Sequence, residues 1–187
     1  EWKKEGLPLF PLSVNLSRYT IGVPHFLDKA LKIVEKYGVE PALIDFELTE
    51  TAVYDNQEFV IDIMNKIKRS GFKLSMDDFG TGYSSLSLLQ KMPLDTLKID
   101  KGFVDGIETD ESGSKGQIIL KNILSMTKSM NITSLSEGVE TEKQKDVLKG
   151  WGCEIIQGFY YNKPLNLSEY EDLLEKQKVD TMKNTTQ

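Results

Sequence analysis

Two adjacent aspartates, Asp77 and Asp78, close the short run Lys73–Met76, and two of the next four residues, Gly80 and Gly82, are glycine. Neighbouring side chains on a strand point to opposite faces. Both carboxylates therefore serve one site only if the strand ends and bends between or beside them, and the two glycines allow such a bend. At a separation of about 5 Å two carboxylates repel by roughly 3 kcal/mol at an effective dielectric near 20. A divalent cation reverses that balance, and a pair of cations bridged by an aspartate also attracts a phosphate that an acidic protein would repel. Taken alone, the pair is equally compatible with a solvated turn or a helix cap.

Any metal here must be held by oxygen. The 187 residues contain one histidine, His25, and one cysteine, Cys153. That excludes an intramolecular disulfide and a zinc site of the usual His/Cys type, and favours magnesium or manganese. His25 follows Pro24 at the start of an expected helix and reads as an exposed or capping residue. Lys and Arg total 23 against 29 for Asp and Glu, a net charge of −6. With no basic cluster interleaved with aromatics, a general nucleic-acid surface is not expected. No apolar run reaches the roughly 18 residues of a membrane span, and no charged-then-apolar leader opens the sequence, so a cytoplasmic location is the expectation.

The elements that position these residues alternate. Strands are expected over 12–16, 43–48, 73–76, 96–99, 132–136 and 154–157. Between them Phe26, Ala30, Val34 and Tyr37 share a helical face, as do Phe59, Ile63 and Ile67, and Ile119, Ile123, Met126 and Met130. Capping pairs are expected at Asp55 with Glu58, Thr141 with Gln144 and Ser168 with Glu171, and left-handed C-caps at Gly38 and Gly71. One domain of about six strand-helix units follows, as an open doubly wound sheet or as a (β/α) barrel. Residues 179–187 read as a polar tail.

On this map the unusual polar residues fall at one end of successive strands: Asn15, Glu47, the Asp77–Asp78 pair, Lys98 with Asp100, Glu137, and Gln157. Each has a structural reading of its own. Glu47 or Glu137 could pair with a lysine, Lys98 could be the buried partner of Asp77, and Asn15 or Gln157 could satisfy backbone groups. In both parallel architectures, however, the carboxyl ends of the strands form the binding face, so joint placement favours a common site.

The ordered motifs "VNLS" (14–17), "FELTE" (46–50), "MDDFGTGYSSL" (76–86), "LKID" (97–100), "EGVET" (137–141) and "GCEIIQGF" (152–159) resemble the EAL-domain cyclic di-GMP phosphodiesterases. The resemblance implies a TIM-like (β/α) barrel that uses two Mg2+ or Mn2+ ions to hydrolyse one phosphodiester bond of cyclic di-GMP, giving linear pGpG. By motif position it implies Asn15, Glu47, Asp77, Asp78 and Glu137 as metal ligands. Lys98 is similar to the lysine that orients or deprotonates the attacking water, with Glu137, Glu140 and Gln157 in the same catalytic network. Asn15, Asp100 and Gln157 are the candidates for substrate contact. Glu50 resembles the residue anchoring the loop Asp78–Ser85, which in this family links metal binding to a homodimer contact. The resemblance also implies cyclase or sensory domains as partners in a parent chain.

Departures matter as well. "EAL" occurs nowhere in the sequence, whereas the family carries that motif, and a substrate-contacting arginine after it, upstream of "VNLS". An eight-stranded barrel takes about 250 residues. The expectation is a partial domain over residues 1–178, incomplete at its N-terminus, with exposed strand edges that favour self-association and with weak or no activity of its own. The alternative is a non-catalytic cyclic di-GMP receptor or protein-interaction domain. A phospho-accepting receiver domain fits less well, because its acidic pair follows the first strand rather than the third.

Overall fold

The computed structural model describes residues 2–54, 56–81, 86–109 and 113–185. Six strands, β1 (Leu12–Asn15), β2 (Ile44–Thr49), β3 (Lys73–Phe79), β4 (Thr96–Ile99), β5 (Thr133–Ser136) and β6 (Ile155–Ile156), form one parallel sheet in the order β1-β2-β3-β4-β5-β6. A doubly wound sheet reverses its order at a switch point; this sheet never does, which leaves the barrel-type winding. It curls as a half-barrel, and among the described residues no pairing joins β1 to β6.

Helices join the strands: α1 (Trp2–Glu5) precedes β1, α2 (Arg18–Ile21) and α3 (Phe26–Tyr37) precede β2, and α4 (Glu50–Tyr54) and α5 (Gln57–Arg69) precede β3. Then come α6 (Leu86–Leu89), α7 (Lys101–Thr109), α8 (Lys115–Ser129), α9 (Glu142–Gly150) and α10 (Leu167–Thr185). The last runs on through the segment read as a polar tail. None of the described helices is long and apolar enough to cross a membrane.

Strand alternation separates two chemistries. Phe46 and Leu48, Leu74 and Met76, and Leu97 and Ile99 are buried in the core between sheet and helices. Their neighbours Glu47, Ser75, Asp77 and Lys98 take the opposite face of the pleat. Each fully buried Leu or Met contributes roughly 1.5–3 kcal/mol. That core offsets the expense of a polar inner face.

On α5 the buried residues are Val60, Met64 and Ile67; of the expected stripe Ile67 is buried and Ile63 packs against the core, while Phe59 is 44% exposed. On α8 the buried residues are Leu120, Ile123, Leu124 and Thr127, and Ile119 is exposed. Tyr37 is likewise exposed at the end of α3. Each helix carries apolar residues on two adjoining faces, and docking against the sheet chooses between them.

Thr141 and Gln144 form the expected capping box. The box at α10 is instead Asn166 with Glu169, because the helix begins at Leu167 and Ser168 is already inside it; Glu171 accepts the Trp2 indole N–H at 2.8 Å. The Asp55 cap and Gly82 lie outside the described residues. Gly38 caps α3 with φ 63° and Gly71 follows α5 with φ 87°, as expected. His25 precedes α3, its ring exposed beside Asp28.

All four residues of β1 are exposed, and Leu12 and Val14 leave an apolar strand edge paired only with β2. Such an edge templates pairing with another chain. The paired substitution Leu12→Lys and Val14→Lys is expected to reduce concentration-dependent self-association measured by light scattering; an unchanged association constant would count against the role of this edge.

Candidate active site

The two aspartates share a face because β3 carries an extra residue. Met76 is opposite Leu97 and Phe79 is opposite Ile99, so Asp77 and Asp78 together face the single residue Lys98. That is the signature of a β-bulge. The bend lies within the acidic pair: Asp78 itself takes φ 54°, a left-handed conformation that aspartate tolerates better than most residues, and its N–H donates to Asp77 Oδ1 at 3.1 Å. Phe79 is thereby returned to the core. Gly80, with φ +99°, continues the bend.

Lys98 stands at the centre. Its Nζ lies 3.0 Å from Glu47 Oε1, 2.9 Å from Asp77 Oδ1 and 2.9 Å from Glu137 Oε1, and both Lys98 and Glu47 are buried. Asp77, Asp78 and Glu137 each offer a carboxylate oxygen within 4.8 Å of the others'. The structural reading of Lys98 as an ion-pair partner and the reading of an acidic site thus describe the same atoms. Three carboxylates meet one ammonium and Asp78 lies beside them, which leaves an excess of negative charge in a poorly solvated place.

The protonation equilibria reflect this crowding. Burial raises the Glu137 pKa; the Lys98 hydrogen bond opposes it without cancelling it, and Asp77 and Glu47 push the same way as burial. Asp78 is raised by desolvation and then by Asp77 and Asp100. Burial pulls the Lys98 ammonium down, but hydrogen bonds to Asp77, Glu137 and Glu47 outweigh it and hold its pKa above the ordinary lysine value. Lys98 is accordingly a fixed positive charge and donor in this arrangement.

The other candidates lie around this cluster. Asn15 is opposite Glu47 in the β1–β2 register and exposed, in a cleft of about 410 Å³ shared with Glu47, Ser17 and Tyr19. Glu140 pairs with Lys101 at 2.5 Å. Asp100 Oδ1 accepts the Gly102 N–H at 2.8 Å at the start of α7. Gln157 is exposed, with its backbone bonded to Ser136 O and Val139 N. Glu50 is buried, and among the described residues neither of its carboxylate oxygens has a hydrogen-bond partner. Part of the loop expected against it, Gly82–Ser85, lies outside the described residues.

Sequence reading missed Asp45, which shares a face with Glu47. Its Oδ2 accepts from Ser75 Oγ at 2.5 Å while its buried Oδ1 has no partner among the described residues, and burial raises its pKa despite that bond. The signal available was the spacing of two residues from Glu47.

The donor set fits a hard divalent cation: all ligand atoms are oxygen, charge is in excess, and several carboxylates point inward together. The EAL domain family model matches residues 1–164 of this chain. The chain belongs to the EAL domain family. It is 32% identical over 169 residues to the cyclic di-GMP phosphodiesterase NbdA of Pseudomonas aeruginosa, covering 90% of this chain and 21% of NbdA. It spans about a fifth of the length of the other curated relatives too. Among solved structures, the PaMucR phosphodiesterase in complex with c-di-GMP is 31% identical with a TM-score of 0.83, over 90% of this chain and 67% of that one. A manganese/cy-diGMP complex of Klebsiella pneumoniae BlrP1 is 30% identical with a TM-score of 0.76, over 84% and 40%.

Because the folded-state pKa of Glu137 is raised, its stabilising contribution is fully present below the unfolded value of 4.5 and is lost as pH rises through the folded value. Metal-free Glu137→Gln, which keeps an acceptor for Lys98, is therefore expected to unfold at a higher temperature than the parent at neutral pH. The gap should close toward about pH 4.5. Thermal melts in chelator across that range test it, and identical pH profiles would contradict the electrostatics described.

Proposed function

We propose that this chain carries the carboxylate-lysine centre of a metal-dependent phosphodiesterase that hydrolyses cyclic di-GMP to linear pGpG. The observation that carries the reading is the convergence of Glu47, Asp77 and Glu137 on Lys98, with Asp78 grouped beside Asp77 and Glu137, in a chain that is similar to a c-di-GMP-bound phosphodiesterase. Asn15, Glu47, Asp77, Asp78 and Glu137 would hold two Mg2+ or Mn2+ ions. When bound, such ions stabilise the charge that develops on the attacked phosphodiester and favour deprotonation of water.

The chain's own residues do the rest. Water attacks phosphorus as the P–O bond to one ribose oxygen breaks; of the two water protons one ends on the departing ribose oxygen and the other on the new phosphate or in solvent. Lys98, whose three N–H groups are held by Glu47, Asp77 and Glu137 in the metal-free protein, supplies a fixed positive charge beside the attacked phosphodiester. Glu140 and Gln157 extend the water network, and Asp100 stands at the rim where substrate passes. Glu50 anchors the loop that follows Asp78.

The gap between β1 and β6 favours a second reading, in which these 187 residues bind cyclic di-GMP with little or no turnover. Calorimetry with cyclic di-GMP and Mn2+, and chromatography for pGpG, separate the two. Turnover is expected to be slow but measurable and to fall in Asp77→Asn by more than the roughly 100-fold typical of outer-shell changes. Binding without pGpG selects the receptor; failure to bind either metal or nucleotide rejects both.

A further inference from the structure

Two glycines adjoin the carboxylates, and a single helical turn presses on both. The segment Asp100–Phe103 follows β4, the strand bearing Lys98, and opens α7. Asp100 fixes that turn through the Gly102 N–H, so tightly that a Cβ on Gly102 would stand 2.9 Å from Asp100 Oδ1. From this turn Phe103 covers Gly80, where a Cβ would lie 2.3 Å from its ring. Lys101 lays its aliphatic stem across Gly138, where a Cβ would lie 2.5 Å from Lys101 Cγ. Both glycines have positive φ, +99° and +68°. Gly80 is two residues beyond Asp78, and Gly138 directly follows Glu137.

The far side of the second loop is closed by backbone. Val139 donates to Gln157 O at 3.1 Å and accepts from Tyr160 N–H at 2.9 Å, and Gly158 approaches so closely that a Cβ there would lie 2.1 Å from Val139 O. Residues 137–140 therefore sit between Lys101 on one side and Gly158 on the other. The Lys101 ammonium then reaches Glu140 Oε1.

We propose that the first turn of α7 is the positioning element of the carboxylate site, with Lys101 setting the Glu137 loop and Phe103 setting the Asp77–Asp78 bulge. An exposed ion pair such as Lys101–Glu140 adds little stability by itself. Its effect is to hold the stem over Gly138, leaving Glu137 one place beside Lys98. The ligand identity rests on the function proposed above, but the positioning is a property of the metal-free protein.

Amide hydrogen exchange on the metal-free chain, followed by Mn2+ calorimetry, tests this with Lys101→Ala, Lys101→Arg and Phe103→Leu. In Lys101→Ala the Val139 and Glu140 amides should exchange faster while the Leu135 and Ile99 amides do not change. Lys101→Arg should restore them. Phe103→Leu should quicken exchange at Thr81, whose N–H bonds to Asp78 O. Mn2+ affinity should fall roughly 10- to 100-fold in Lys101→Ala. Unchanged exchange at Val139 and Glu140, uniform acceleration at every amide, or unaltered Mn2+ affinity beside a loosened loop would overturn the inference. Loosened loops in a chain that binds no Mn2+ at all would uphold the positioning and refute the proposed function instead.

Discussion

Holding Glu47, Asp77, Asp78 and Glu137 within a few ångström of one another is electrostatically unfavourable, and one buried ammonium is what makes the arrangement tolerable without metal. Two buried ions of opposite sign break even at best, because desolvation takes back most of their attraction. Here a single cation serves three carboxylates, so the centre remains under-neutralised and depends on the surrounding fold to keep it assembled. The apolar layer between sheet and helices supplies that support. Lys98 sits between Leu97 and Ile99, both fully buried, so its backbone cannot shift without disturbing the core.

Geometry then decides which acids belong. The bulge in β3 directs two consecutive residues to one side, β2 contributes Glu47 through ordinary alternation, and Glu137 is delivered immediately after β5, its N–H bonded to Ile99 O at 3.1 Å. Every contributor lies at the carboxyl end of a strand, the end on which barrel enzymes build their sites. Acids outside this geometry have other employment. Asp95, at the opposite end of the sheet, binds Lys68, Lys73 and the Leu74 N–H, and although burial opposes it, those bonds lower its pKa.

Much of this was legible in the sequence because strand alternation and terminal polar residues are local signals. The runs around Val14, Phe46, Leu97 and Leu135 fall where strands were expected, and β3 is longer only because Phe79 rejoins the core beyond the bulge. A bend between or beside the aspartates was legible, but which of the two was not: "DD" reads the same whether the backbone turns between the aspartates or after them, and only the pairing with β4 distinguishes the cases. On α5 and α8 the first member of each expected stripe, Phe59 or Ile119, is exposed while its equally apolar neighbour, Val60 or Leu120, is buried; the later members Ile67 and Ile123 are buried as expected. The engagements of Asp100 with Gly102 and of Glu140 with Lys101 depend on how loops meet in space, and nothing in the residue types announces them.

The bulge also sets the second aspartate apart from the phase of the strand. With Asp77 or Asp78 deleted, ordinary alternation would place Met76, the surviving acid and Phe79 opposite Leu97, Lys98 and Ile99, so Phe79 would stay in the core. A frame-preserving loss of one codon at this point would thus spare the hydrophobic layer and take one carboxylate from the acidic layer. The extra residue serves the charged side of the strand alone, and the core carries no record of its loss.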